Sequence, residues 1–380
     1  MDMKKKYRWA FILIIIYISL LLIFPGCGLF ERTEVSRESG EEEVTEEREE
    51  REENGEGEEE DREKVEEEQE EEAETEVGED SEMYSEEEGE ELSRHPFTGS
   101  PLEEESFSRA VLAVIDNLDK VRPQDGLLEA PLVYEVLVEG GITRLLALYL
   151  EEFPDRIGPI RSARPYMVDI ALEYNALLLH AGGSPDGLSR LQEEDIDNLD
   201  QMRRGSYYWR SSERSNPHNL YTGDDRIEEF VDELTGQEYR PRFDFQPITI
   251  ITGDENRAEE ISINYWMNYS VNYRYDKDNN NYRRFLNDFK EPHRVTGGQQ
   301  ITADNIIVRY TPAKIKDDEG RIDLDLQGEG KAQIFRDGVV VEARWEKDGD
   351  DQTSYFRRGS EEQVDLKPGR TWIQIVPETA

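Results

Sequence analysis

Four arginines, three carboxylates and one loop histidine are the residues of this chain whose types and spacing could do chemistry. Arg156, Arg161 and Arg164 crowd one short stretch, and Arg144 lies on the strand expected just before it. A guanidinium makes planar, bidentate contacts with phosphate or carboxylate, so this group reads as an anion site. The competing reading is internal pairing with Glu135, Glu139 and Asp169. Asp116, Glu135 and Glu139 are candidates for a general base or for oxygen ligands to a divalent cation, although strand-end acids are more commonly solvated or paired. His218, in the turn-rich Asn216-Pro217-His218-Asn219, is a further acid-base candidate, whereas His180 ends an apolar strand and reads as structural.

Other chemistries find no support in the pattern. There is no His/Cys cluster at metal-ligand spacing, so zinc is not expected, and no cofactor is firmly implied. Neither a Walker nor a dinucleotide glycine pattern occurs, which disfavours ATP and NAD. Ser184 in HAGGSPDG lacks the surroundings of a nucleophile elbow and is better explained as a helix cap. The glycines before it leave a helix start whose backbone amides suit a phosphate.

The elements that must position these residues are legible from His95 onward. Residues 109 to 115 read as a buried strand, and 132 to 138 and 142 to 150 as two more, joined by Glu139-Gly140-Gly141 into a hairpin. Pro159 and Pro165 keep RIGPIRSARP extended. Pro165 then opens a helix to residue 174, residues 176 to 180 form a strand, and Ser184-Pro185-Asp186 caps a helix to about 192. Thr222 with Asp225 resembles a capping box for a helix over 223 to 234. Beyond Pro241 the segments ITIIT, INYWMNYSVNYRYD, YRRFLN, NIIVRYT, AQIFRDGVVVEARWEK and TWIQIV are strand-like, with Asp337-Gly338 as a hairpin turn. The expectation is a mixed-sheet α/β (α+β) domain over 95–240, followed by a smaller β-rich subdomain over 241–380, either separate from the first sheet or continuous with it.

The first 94 residues carry a different message. A basic start (MDMKKKYR), an apolar run over residues 9 to 24 and a small-residue exit before Cys27 have the order of a secretory signal covering residues 1–26. Cys27, the single cysteine, follows Gly26 in a way that resembles the lipobox of bacterial lipoproteins, although Phe24 stands where an aliphatic residue is usual. That resemblance implies acylation of Cys27, such as by palmitate, and a lipid anchor on the extracytoplasmic face of the cell membrane. An uncleaved signal anchor is the alternative.

Residues 27–94 read as an acidic tether. From residue 31 on it holds 34 acidic and 7 basic residues, too few apolar groups to offset ordering entropy, so an extended disordered chain is expected. The whole chain carries a net charge of −44. The acid excess of the remainder argues against nucleic acid as a partner; excess acid is also a mark of salt-adapted organisms.

VLAVIDN, RPQDGLLEAPLVYEVLVEGGITRLLALY, IGPIRSARPYMVD, HAGGSP, NPHNLYT and GRTWIQIV occur in this order from residue 111 to residue 376. Together they resemble the YerB-type family of bacterial lipoproteins, a domain of unknown function. The resemblance implies an envelope lipoprotein and supplies no activity. The hairpin GITRLLALYL with its return IGPIRSARP is also similar in outline to LytR-CpsA-Psr enzymes, which transfer glycopolymers from polyprenyl pyrophosphate carriers; Ile142-Thr143-Arg144 stands where that family has an acid-threonine pair. Two functional readings follow. The first is an envelope protein binding an anionic ligand or a protein partner; the second is a phosphotransferase or hydrolase acting on lipid-linked pyrophosphate, and no motif decides between enzyme and binding protein.

Overall fold

A computed structural model describes residues 94–102, 109–150, 152–234, 256–266 and 269–378, all within the unit Tyr84–Ala380. The signal, Cys27, all of the tether but Arg94, and ITIIT lie outside the described residues. The strands are β1 (Val111–Asp116), β2 (Leu132–Leu137), β3 (Thr143–Tyr149), β4 (Leu177–His180), β5 (Asn198–Asp200), β6 (Trp209–Arg210), β7 (Leu220–Tyr221), β8 (Glu260–Asn264), β9 (Ser270–Asp276) and β10 (Asn281–Leu286). They continue as β11 (Glu291–Pro292), β12 (Thr302–Ala303), β13 (Asn305–Thr311), β14 (Ala313–Ile315), β15 (Ile322–Leu324), β16 (Gly328–Arg336), β17 (Val339–Lys347), β18 (Ser354–Arg357) and β19 (Thr371–Pro377). Three α-helices are described: α1 (Pro165–Tyr174), α2 (Pro185–Glu193) and α3 (Asp224–Glu233).

Ten strands form one mixed sheet in the order β18-β17-β16-β13-β19-β2-β3-β1-β4-β5. Every residue of β1, β2, β3 and β19 is buried, as suits central strands covered on both faces, which read as continuous apolar runs. Each fully buried Val, Leu or Ile there contributes roughly 1.5–3 kcal/mol. β19 runs parallel to both neighbours, β13 and β2, so residues on either side of position 240 share this sheet. A second sheet, β11-β10-β9-β8 with β12 on β10, comes wholly from the later part of the chain. The fold is therefore a mixed-sheet α/β architecture with a smaller β-rich part.

Side-chain alternation along β2 explains how the layers meet. The hydroxyl of Tyr134 lies 2.7 Å from that of Tyr174 on α1. Glu135, the next residue, projects from the other face and meets Arg284 of β10. The helix thus covers one face of the main sheet at β2, and the second sheet covers the other.

Local signals set several elements. Pro165 is the first residue of α1, and the Ser184 hydroxyl accepts the Gly187 amide at the start of α2. Asp337 and Gly338, with φ of 52° and 78°, make the primed turn that matches strand twist between β16 and β17. Two expectations are corrected. The cap of α3 is Gly223, with no side-chain cap, and Thr222 instead donates to the Tyr207 carbonyl. A Cβ on Gly223 would sit 2.0 Å from the Asp155 carbonyl oxygen, so backbone packs where a capping side chain was expected, and the Asp224 amide bonds to the Pro154 carbonyl. INYWMNYSVNYRYD is not one strand: it breaks between β8 and β9, where the Tyr265 amide bonds to the Tyr269 carbonyl, Tyr265 is buried and Tyr269 packs half-buried against the core.

Candidate functional site

Asp116 is the last residue of β1 and pairs in register with Arg144 on β3. Its buried carboxylate gathers three contacts. Oδ1 accepts the Leu118 amide at 3.2 Å, and Oδ2 lies 2.7 Å from Nδ1 of His218. Arg161 Nε approaches the same Oδ2 at 3.1 Å, but off the line of a good hydrogen bond. Both residues are partly exposed, with 14% of the His218 side chain and 22% of the Arg161 side chain open to solvent. Asp116 thus holds an imidazole and a guanidinium side by side on one oxygen. Among the described residues, neither Nε2 of His218 nor the terminal amino groups of Arg161 has a partner.

Next to this group is a second one. Glu139, in the turn after β2, accepts Nε of Arg164 at 3.1 Å, a further short contact from the same guanidinium, and Nη2 of Arg144 at 3.4 Å. Arg144 also donates to the Ser162 carbonyl, and Arg164 to the Ala163 carbonyl. Burial works against ionisation of Glu139, but the hydrogen bond from Arg164 and the charge of Arg144 outweigh it and hold this carboxyl below its ordinary range. Burial, then the like charge of Arg164, brings Arg144 down to about 10, with Glu139 opposing.

Arg156 stands apart. It pairs with Glu213 at 2.6 Å and with Asp125 at 3.4 Å, and its guanidinium lies 4.1 Å from the Tyr221 ring centroid. Asp169 pairs with Arg190 rather than with the arginine group. Of the residues singled out in the sequence, the fold brings together Asp116, Arg161 and His218, with Glu139, Arg144 and Arg164 beside them. Arg156 and Glu135 are not part of that assembly.

Glu135 belongs to a network on the opposite face of the sheet. Its Oε1 accepts Thr143 Oγ1 at 2.7 Å, the Tyr269 hydroxyl at 2.8 Å and Asn117 Nδ2 at 3.1 Å. Its Oε2 accepts Arg284 Nη2 at 2.5 Å, and both side chains are wholly buried. Arg284 also donates to the Tyr273 hydroxyl and, from Nε, to Nδ1 of His293 at 3.0 Å. Its guanidinium lies 4.4 Å from the Trp372 ring centroid. His293 Nε2 faces Gln124 Oε1 at 3.0 Å. An imidazole that accepts from Arg284 and donates to Gln124 is neutral, and burial followed by the Arg284 charge pushes its pKa well below the ordinary value. Tyr269 is pushed up to about 12 by burial and then by the Glu135 charge.

Sequence reasoning missed Arg284, His293 and Asn117. One signal for Arg284 was present: in β10 the buried positions alternate as Tyr282, Arg284 and Leu286, so a charge stands where period-two patterning puts the core.

Of two clefts, only the first adjoins these residues. The first, of about 440 Å³, is lined by Asn117, Lys120, Arg122, Gly140, Thr143 and Tyr269 and lies in front of the Glu135 network. Its floor groups already bond to one another, since Asn117 Nδ2 serves Glu135, Thr143 and Tyr269 together. The other, about 390 Å³, is lined by His95, Glu129, Glu152, Asp304 and Arg370 among others. Among the described residues no group of three or more His, Cys, Asp or Glu is arranged to hold a metal ion.

Comparison with known proteins places this geometry in a family. Residues 97–239 match the N-terminal domain model of the "Protein of unknown function (DUF3048)" family, and residues 261–373 match its C-terminal domain model. The chain belongs to the DUF3048 family. It is 33% identical over 291 residues to "Putative lipoprotein YerB" of Bacillus subtilis (strain 168), across 74% of this chain and 86% of that protein. A crystal structure of the YerB protein from Bacillus subtilis superposes with a TM-score of 0.67 at 30% identity, covering 75% of this chain and 96% of that one. The kinship supports a lipoprotein nature and membrane association for this DUF3048 protein; among its described residues, no helix is long and apolar enough to cross a membrane. Asp116, Arg161 and His218 all fall within the N-terminal match, whereas the buried Glu135–Arg284 pair joins the N-terminal match to the C-terminal one.

Proposed function

We propose that this DUF3048 protein is an extracytoplasmic lipoprotein, anchored through acylated Cys27, whose folded part binds a phosphate-bearing ligand on the guanidinium of Arg161. The acidic tether spaces that folded part from the membrane. One observation carries the binding site: Arg161 is ion-paired to Asp116, with Nε 3.1 Å from Oδ2 but not hydrogen-bonded to it, and its terminal amino groups have no hydrogen-bond partner among the described residues. A guanidinium ion-paired near its root, with its fork not hydrogen-bonded, is suited to bidentate recognition of an anion. Arg144 and Arg164 sit alongside and add positive charge, although Glu139 offsets part of it. Arg156 is committed to Asp125 and Glu213 and has no part in the proposal.

The test is thermal unfolding of the full chain in detergent with inorganic phosphate, pyrophosphate or a neutral sugar, at constant ionic strength. A ligand that binds only the native state at 100 times its Kd stabilises it by about 2.7 kcal/mol. Stabilisation by the anions but not by the sugar is expected, and Arg161→Lys, which keeps charge but loses the fork, should remove most of it. Equal shifts in wild type and Arg161→Lys, or none in either, would return Arg161 to a purely structural role.

A further inference from the structure

We infer that the Asp116–His218 pair is a catalytic device and that the protein hydrolyses a phosphate ester held at Arg161. The inference rests on the anion-binding reading above and adds a reaction to it. Its basis is the division of labour on the imidazole. Nδ1 of His218 is 2.7 Å from a carboxylate oxygen that is almost wholly buried and belongs to a rigid central strand. That contact fixes Nδ1 as the donor and leaves Nε2, across the ring, as the acceptor. A histidine held by its far nitrogen, with the near one unpartnered, has the geometry of a general base with an orienting carboxylate.

The second requirement is a group for the charge of the reacting centre. Arg161 meets it, because it shares Oδ2 of Asp116 with His218 and so stands beside the imidazole, its terminal amino groups without a hydrogen-bond partner among the described residues. In the inferred complex a phosphoryl group bound by that fork stands beside the imidazole, since both side chains meet the same Oδ2 of Asp116, and Nε2 acts on a water next to it. A purely structural role, in which Asp116 ties the loop before β7 to the end of β1, needs the Nδ1 contact alone. It does not need an Nε2 and a pair of terminal guanidinium amino groups that both lack a hydrogen-bond partner among the described residues.

The step balances without an oxidant or a second substrate other than water. Nε2 takes one proton from the water as its oxygen bonds to phosphorus. The bond from phosphorus to the ester oxygen breaks on the opposite side, the departing oxygen takes a proton from solvent, and the imidazolium releases its own to solvent. The products are an alcohol and phosphate, or a phosphomonoester where the substrate is a diester. Arg161 contacts substrate throughout; Asp116 acts through His218 and Arg161 and is a positioning residue.

The experiment measures hydrolysis of p-nitrophenyl phosphate and bis(p-nitrophenyl) phosphate by the full chain, in parallel with phosphate-induced thermal stabilisation. His218→Asn is the main variant, since its amide can still donate to Asp116 while offering no base. Its turnover should fall at least about 100-fold, the low end for loss of a general base, with most phosphate stabilisation retained. His218→Gly should regain turnover when imidazole is added to the medium, a rescue that loss of a structural contact would not produce. Absence of turnover in the wild type with phosphate binding intact sinks the inference and leaves the binding site standing. Turnover that survives His218→Asn sinks it too, whereas absence of phosphate binding removes both.

Discussion

Replacing Arg284 by Met tests how the two parts of the fold are locked together. Arg284 and Glu135 are both fully buried, and they come from β10 of the second sheet and β2 of the main one. The substitution keeps the volume and removes the charge. Glu135 retains its bonds from Thr143, Tyr269 and Asn117 but loses the counter-charge that bonds to it directly, and His293 Nδ1 loses its donor. Removing one member of a buried pair costs about 3–5 kcal/mol, because the other is left charged in a medium that solvates it poorly. Domains are stable by roughly 5–15 kcal/mol in total, so the variant should be folded but fragile. Urea unfolding followed by tryptophan fluorescence is a direct assay, since Trp372 packs on the Arg284 guanidinium. Glu135→Leu combined with Arg284→Met should recover much of the loss, because no unpaired charge then remains. A single-variant loss under about 1 kcal/mol would refute the reasoning and place the strength of the contact between sheets in apolar packing instead.

Two further outcomes follow from the same structure. His293 is held neutral in the folded state while the unfolded chain takes up a proton below the ordinary histidine value, so stability should fall as pH drops through that value, by up to about 1.4 kcal/mol per pH unit; His293→Gln should flatten that part of a pH series of unfolding curves, and an unchanged slope would count against the assignment. Cys27→Ser should abolish incorporation of radiolabelled fatty acid into the full chain, and equal labelling of wild type and variant would end the anchor proposal.

The sequence by itself determined what is decided within a turn or a strand period. Pro165 at the head of α1, Ser184 capping α2, Gly140-Gly141 linking β2 to β3 and Asp337-Gly338 turning β16 into β17 all act through backbone preferences of residues adjacent in the chain. The motif order likewise carried the family, and patterning carried the α/β class. Only the tertiary structure decided which charges meet. Asp116 and His218 are 102 positions apart and Glu135 and Arg284 are 149 apart, and no local rule links residues at such distances. Sheet order brings them together: β19 inserts between β13 and β2, the second sheet closes over Glu135, and the loop before β7 lays His218 on Asp116. The same packing divided the four arginines among Asp116, Glu139, and the pair Asp125 and Glu213. Their spacing in the chain announced a cluster, but the pairing of a long side chain depends on which carboxylate the neighbouring strands and loops deliver to it.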